Sequence, residues 1–337
     1  MLSFALFYEK FQEGKAMSTG GRAPAIWVSG LRKSYGDKVV LDGIDLNVPE
    51  GTIFSLLGPN GAGKTTTVQI LTTLIGCDGG EIQVGGYDLD TDRDAVKAAI
   101  GVTGQFSAVD ELLTGRENLM LMADLHHLPR RVGKSLAADL LERFDLTEAA
   151  DKPASTYSGG MTRRLDLAMT LVGDPRIIFL DEPTTGLDPR SRRSMWEIIR
   201  ELVDSYSVTV FLTTQYLEEA DQLADRIAVL DHGTIVAEGT AAELKRLVPG
   251  GHIRLLFAER GDLDAAATAF GSSARPIEDE LTLAIPSDGG IGSVRAVLDR
   301  LDEFHIPAEG LSVHTPNLDD VFLTLTGNPV ADKEPVR

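Results

Sequence analysis

Hydrophobic positions fall into short continuous runs, and these alternate with longer stretches of helical spacing. Residues 52–57, 177–181 and 208–212 read as buried strands, because a parallel core strand is apolar on both faces. Residues 26–31, 39–48 and 101–105 read as further strands, and 226–230 and 234–238 as a hairpin around His232-Gly233. Helical spacing marks residues 68–74, 95–100, 117–149, 158–172, 191–205 and 217–223, with Ser158 an N-cap candidate. The 117–149 stretch rests on Leu119, Leu121, Met122 and Leu125, then Leu136, Leu140, Leu141 and Phe144. Strands alternating with helices predict an α/β fold around a largely parallel sheet.

The pattern breaks near Pro249-Gly250-Gly251 and restarts. Residues 253–257 read as a strand and 263–270 as a helix, and two short strands flank Asp279-Glu280. A helix over 294–304, a strand over 311–314 and a helix capped by Asn317 follow. The order β-α-β-β-α-β predicts a small ferredoxin-like α+β unit. The expected organisation is a weakly ordered leader (1–24), a main domain (25–246), the small domain (247–327) and a polar tail (328–337). Met17 is an alternative start to Met1.

Composition narrows the function classes. Formal net charge is −19, which opposes a nucleic-acid partner, since that needs a clustered basic surface. The single cysteine, Cys77, excludes an intrachain disulfide and a multi-cysteine metal cluster. It suits a reduced, cytoplasmic setting. No run approaches the roughly 18 apolar residues of a membrane span. His126, His127, Arg130 and Arg131 read as a solvated helix end, because neighbouring positions do not face one ligand.

The chemistry concentrates where the strand over 52–57 meets the next helix. Gly58, Pro59, Asn60, Gly61, Ala62, Gly63, Lys64, Thr65 and Thr66 spell G-x-x-x-x-G-K-T between a strand and a helix. In that setting the glycines let consecutive N–H groups turn inward, and the helix N-terminus adds positive potential. Lys64 is expected as an exposed charge awaiting the β- and γ-phosphates, and the Thr65 hydroxyl as a Mg²⁺ ligand. Asp181 and Glu182 end a core strand, where open α/β sheets bind ligands. Tyr35, in a turn, is either a half-buried turn residue or a platform for a base.

Four features stand in one order: GPNGAGKTT, Gln105 at a strand end, YSGGM and LDEP. With Leu187-Asp188 and Thr214-Gln215, residues 25–245 resemble the ATP-binding cassette ATPases. The SGG signature shortly before the second carboxylate strand is specific to that family. The resemblance implies that Tyr35 stacks on adenine and that Gly58 to Thr66 hold the phosphates of ATP. It implies that Thr65, Gln105 and Asp181 serve Mg²⁺ and that Glu182 is the general base. Ser158, Gly159 and Gly160 would contact ATP bound to a second copy, and Asp188 would lie at that dimer interface. Met161 stands where the family usually has Gln. Gln215 stands where it usually has His, which removes a proton relay there but leaves a catalytic, γ-phosphate-sensing position. The stretch TTQYLEEAD, the C-terminal unit and its LDDVF tail narrow the resemblance to daunorubicin-resistance-type exporters. That implies a peripheral, cytoplasmic-side homodimer docked on a separately encoded multi-span permease. The rival readings are export of a lipid, glycan or ion, and a soluble, non-transport ATPase of the same family.

Overall fold

The computed structural model describes residues 24–104, 107–247, 251–277, 281–314 and 317–327. The chain divides into two compact units at Ala241/Ala242, where the sequence pattern places the break a few residues later.

In the first unit β1 (Ile26–Tyr35) and β2 (Lys38–Val48) form a hairpin. β3 (Ile53–Leu57) enters the glycine-rich loop and leaves it as α1 (Lys64–Leu71). Next come β4 (Gly79–Val84), β5 (Tyr87–Asp88), α2 (Arg93–Ala99) and β6 (Ile100–Thr103). Helices α3 (Gly115–Leu125), α4 (Arg130–Arg143) and α5 (Gly159–Thr170) precede β7 (Ile177–Asp181). Then follow α6 (Pro189–Tyr206), β8 (Thr209–Thr214), α7 (Leu217–Leu223), β9 (Arg226–Asp231) and β10 (Thr234–Gly239), and α8 (Ala241–Arg246) begins at the boundary and lies in the second unit.

β2-β1-β4-β5 form an antiparallel sheet, and β10-β9-β3-β8-β7-β6 a mixed one. In the second sheet every neighbouring pair except β9/β10 is parallel. All residues of β3, β7 and β8 are buried, as expected of strands covered on both faces. Alternate residues serve two cores. Ile178, Leu180, Val210 and Leu212 face the core shared with α3, α4, α5 and α6. Phe54, Phe179 and Phe211 face the core shared with α1 and the antiparallel sheet. Phe211 stacks on Phe54, ring centroids 5.6 Å apart, and lies 5.6 Å from Phe179.

The expected helix over 117–149 is two helices with a break at His126–Pro129. Pro129 has no N–H to continue the ladder and disfavours α geometry in the residue before it. His127 takes a left-handed turn, φ 55°. α3, before the break, starts on a Thr114–Glu117 capping box, and α4 restarts after it with Pro129 at its N-cap.

In the second unit the order is β11 (His252–Leu256), α9 (Arg260–Phe270), β12 (Arg275–Ile277), β13 (Thr282–Pro286), α10 (Ile291–Glu303) and β14 (Gly310–His314). α11 (Leu318–Thr326) follows, capped by Asn317. The sheet runs β12-β13-β11-β14 with all neighbours antiparallel. Ile253, Leu255, Leu263, Leu283, Val297 and Leu301 form a core of this unit's own. Asp279 and Glu280 lie outside the described residues. Among those described, no helix is long and apolar enough to cross a membrane.

Candidate active site

Parallel pairing brings the ends of four strands to one edge. Leu57 pairs with Thr214, Thr213 with Asp181, and Leu180 with Thr103. The residues just beyond, Gly58, Gln215, Glu182 and Gly104, therefore stand along one line although more than a hundred positions separate some of them. This is the carboxyl edge at which open α/β sheets bind ligands.

The loop after β3 is tightly seated. Gly58 N–H donates to Thr214 O at 3.2 Å. A Cβ at Gly58 would come within 2.3 Å of Leu230 O, so no other residue fits there without a shift. Gly63 has φ 113°, and a Cβ there would meet Leu41 Cδ2 at 2.5 Å. Between them Pro59 and Ala62 are linked, Ala62 N–H donating to Pro59 O at 3.2 Å, and Asn60 and Gly61 are exposed. Because Gly63 ends the loop, α1 begins at Lys64, four residues before the apolar pattern does.

Lys64 is not the exposed charge expected. Its side chain is 4% exposed and folds back over its own loop. Nζ donates to Gly58 O at 2.9 Å and Pro59 O at 3.1 Å, and lies 3.4 Å from Glu182 Oε1. Burial pulls the ammonium pKa below its ordinary value, while Glu182 and Asp181 pull it back up.

Asp181 and Glu182 are set by the neighbouring strand. Thr213 Oγ1 donates to Asp181 Oδ1 at 2.5 Å. Thr65 Oγ1 reaches the same oxygen at 3.4 Å. Glu182 leaves the strand with φ 50°, a left-handed conformation costing about 1 kcal/mol in a non-glycine residue. Its N–H donates to Thr213 O and to Thr213 Oγ1, both at 3.1 Å. Thr66 and Gln215 are half-buried on the same edge.

The other expected site residues stand apart. Tyr35 ends β1 in the antiparallel sheet, is 51% exposed, and has Lys33 Nζ 5.5 Å from its ring centroid. Ser158 caps α5, its Oγ accepting from Met161 N–H at 3.3 Å. Gly159 and Gly160 open that helix; a Cβ on Gly160 would press within 2.7 Å of Ser191 Oγ. Asp188 caps α6, accepting from Arg190 N–H and Ser191 N–H at 3.0 Å and from Ser191 Oγ at 2.6 Å. Among the described residues, no hydrogen bond joins Ser158, Gly159 or Gly160 to the 58–66 loop. Gln105 lies outside the described residues.

Three side chains at this edge went unassigned in the sequence. The Thr213 hydroxyl donates to the Asp181 carboxylate and accepts from the Glu182 N–H. Arg163 donates to Asp181 O at 3.2 Å. Glu219, fully buried on α7, accepts from Thr184 Oγ1 at 2.8 Å and Trp196 Nε1 at 3.1 Å. The available signal for Arg163 was a charged pair with Asp166 at i, i+3 on a helix whose neighbours Leu165, Leu167 and Ala168 are buried.

The family model described as "ABC transporter" matches residues 41–185. Daunorubicin resistance ATP-binding protein DrrA3 of Streptomyces coeruleorubidus is 49% identical over 92% of this chain and 98% of its own. Daunorubicin/doxorubicin resistance ATP-binding protein DrrA of Streptomyces peucetius is 46% identical, over 92% and 94%. Among solved structures, a dimeric ATP-binding cassette in a post-hydrolysis state bound to ADP and phosphate superposes with TM-score 0.58 and 26% identity. It covers 64% of this chain and 98% of that one. A glycine-rich loop, a buried lysine and two carboxylates on one sheet edge agree with that kinship. The chain belongs to the ABC transporter family and is one of its ATP-binding, ATP-hydrolysing subunits.

Proposed function

We propose that this subunit drives efflux of a daunorubicin- or doxorubicin-like drug through a separately encoded multi-span permease, working as a homodimer on the cytoplasmic side of the membrane. The observation that supports the cargo is the identity with daunorubicin resistance ATP-binding proteins along nearly the whole of both chains. The dimeric relative supports the pairing of two copies.

In this reading the Gly58–Thr66 loop and Lys64 hold the phosphates, and Tyr35 offers its exposed ring to adenine. Lys64 exchanges its two loop carbonyls for phosphate oxygens. Glu182 takes the proton of the attacking water, and Gln215 orients that water. The Thr65 hydroxyl and Asp181 carboxylate are hard oxygen donors 3.4 Å apart, a set that suits Mg²⁺. When bound, Mg²⁺ neutralises charge developing on the phosphates. Gln105 is the third proposed ligand. Ser158, Gly159 and Gly160 of one copy complete the site of the other, with Asp188 at the shared interface. Phosphoryl transfer is chiefly positioning and charge neutralisation, so a site divided between two chains needs only their docking to become competent.

The test has two arms. Glu182→Gln with ATP and Mg²⁺ is expected to run as a dimer on size exclusion and to hydrolyse very slowly, because the amide keeps the shape but cannot act as a base. Monomer alone, with or without the membrane partner, overturns the shared site. Cells carrying the subunit and the permease purified with it from membranes should extrude daunorubicin, and equal accumulation with and without the pair overturns the cargo.

A further inference from the structure

Helix α5 carries a buried ion pair aimed at the site edge. The side chains of Arg163 and Asp166 are 11% and 3% exposed, with Nη1 3.4 Å from Asp166 Oδ2. Arg163 Nε donates to Pro183 O at 2.9 Å, Nη2 to Asp181 O at 3.2 Å, and Nη1 to Gly104 O at 2.8 Å. Asp166 Oδ1 accepts from Ala108 N–H at 3.1 Å. One guanidinium thus grips the carbonyls of the residues on both sides of Glu182. The pair also holds Gly104 through its carbonyl and Ala108 through its N–H. A planar fork of five donors can reach three carbonyls at once, and an ammonium cannot.

The same helix begins at Ser158, which the proposed function assigns to the ATP of the second copy. In that reading its first turns carry an intermolecular contact at one end and a grip on the main chain around Glu182 at the other. A pair that merely stapled α5 to the core would gain nothing from converging on the two carbonyls that flank the base. Apolar residues often replace buried ion pairs of that kind without loss.

We propose that Arg163, oriented by Asp166, is a positioning residue for ATP hydrolysis, fixing the backbone of Asp181–Pro183 as one unit with α5. This rests on the reading of Glu182 as the base and Asp181 as a Mg²⁺ ligand. Docking of the second copy on α5 is then felt directly by the main chain around Glu182.

The test is steady-state ATPase of the full-length chain, titrated with ATP and with Mg²⁺, for wild type, Arg163→Lys, Arg163→Met, Asp166→Asn and Glu182→Gln. Arg163→Lys keeps the charge and loses the fork. Its kcat is expected to fall about tenfold or more with the KM for ATP within about threefold, as a loss confined to the transition state requires. The Mg²⁺ needed for half-maximal rate should rise severalfold. Asp166→Asn, which retains the acceptor for Ala108, should show a smaller change of the same kind. Arg163→Met should match or exceed Arg163→Lys; if it does not fold by thermal melting, Arg163→Lys decides the matter. Wild-type kcat and Mg²⁺ dependence in folded Arg163→Lys overturns the proposal. A parallel loss of kcat, ATP affinity and melting temperature overturns it too, leaving a staple only. An inactive Glu182→Gln beside a fully active Arg163→Lys sinks this inference alone, whereas an active Glu182→Gln removes the base assignment and the inference with it.

Discussion

Lys64, proposed to hold phosphates, is bonded within its own loop and lies beside Glu182. Two backbone carbonyls and Glu182 are poorer company for a buried ammonium than phosphate oxygens. Burial depresses its pKa, so the unfolded chain binds the proton more tightly than the folded one. Its charge therefore opposes folding at neutral pH. Lys64→Met should abolish hydrolysis, by about a hundredfold or more. It should leave the melting temperature of the nucleotide-free protein unchanged or higher, and remove its rise with added ATP. A clear drop in the nucleotide-free melting temperature would show that the lysine braces the loop instead. Gln215 answers to geometry rather than charge. Glutamine can orient water but does not titrate near neutrality. Gln215→His should stay active, and Gln215→Ala should hydrolyse slowly while still binding ATP, since the loss falls on the transition state. Wild-type ATPase in Gln215→Ala would make the residue a bystander at a strand end.

At the scale of elements, the edge is only as well placed as the strands behind it. Phe211 lies at the centre of β8, fully buried between Phe54 and Phe179 of the flanking strands. Phe211→Ala should cost about 3–5 kcal/mol in urea unfolding. A cost near zero would mean that the neighbouring strands collapse into the space. Glu219 ties α7 to Trp196 of α6 and to Thr184 beyond β7 through its Oε1. Burial pushes its carboxyl pKa up, against the pull of Thr214, Thr184, Trp196 and Arg192. A carboxyl with a raised folded pKa contributes stability that is complete below its unfolded value, 4.5, and lost as pH rises through the folded one. Glu219→Gln keeps the acceptor oxygen and removes that loss. Its stability relative to wild type should therefore increase as pH is raised above 4.5, followed by urea melts across that range. A difference independent of pH would show that Glu219 does not change its protonation between folded and unfolded chains there.

At the scale of the whole molecule, the two units carry separate cores. Residues of the first unit alone build the two cores around the sheet edge, and residues of the second alone build the third core. Within the described part of the second unit there is no group of His, Cys, Asp and Glu that could hold a metal ion. A chain ending at Pro249 should therefore fold around its site and bind ATP with near wild-type affinity, while dimer formation or retention by the permease weakens. Complete loss of ATP binding in a folded truncation would place part of the nucleotide site in the second unit.

What the sequence determined by itself was whatever local chemistry encodes. Continuous apolar runs mark β3, β7 and β8 because both their faces are covered. Gly58 and Gly63 are legible because a phosphate loop tolerates no Cβ there, and the two carboxylates because they interrupt an apolar run. The alternation of strands and helices named the fold class, and the signature order named the family. Pro129 was a local signal too, but the long apolar period ran across it. Only the tertiary structure decided that Lys64 is buried, that the Thr213 hydroxyl joins the Asp181 carboxylate to the Glu182 N–H, and that Arg163 grips the carbonyls of Asp181 and Pro183. Those facts depend on parallel register between distant strands and on hydrogen bonds to main-chain oxygens. Every residue carries such an oxygen, so it leaves no mark in a pattern of side chains.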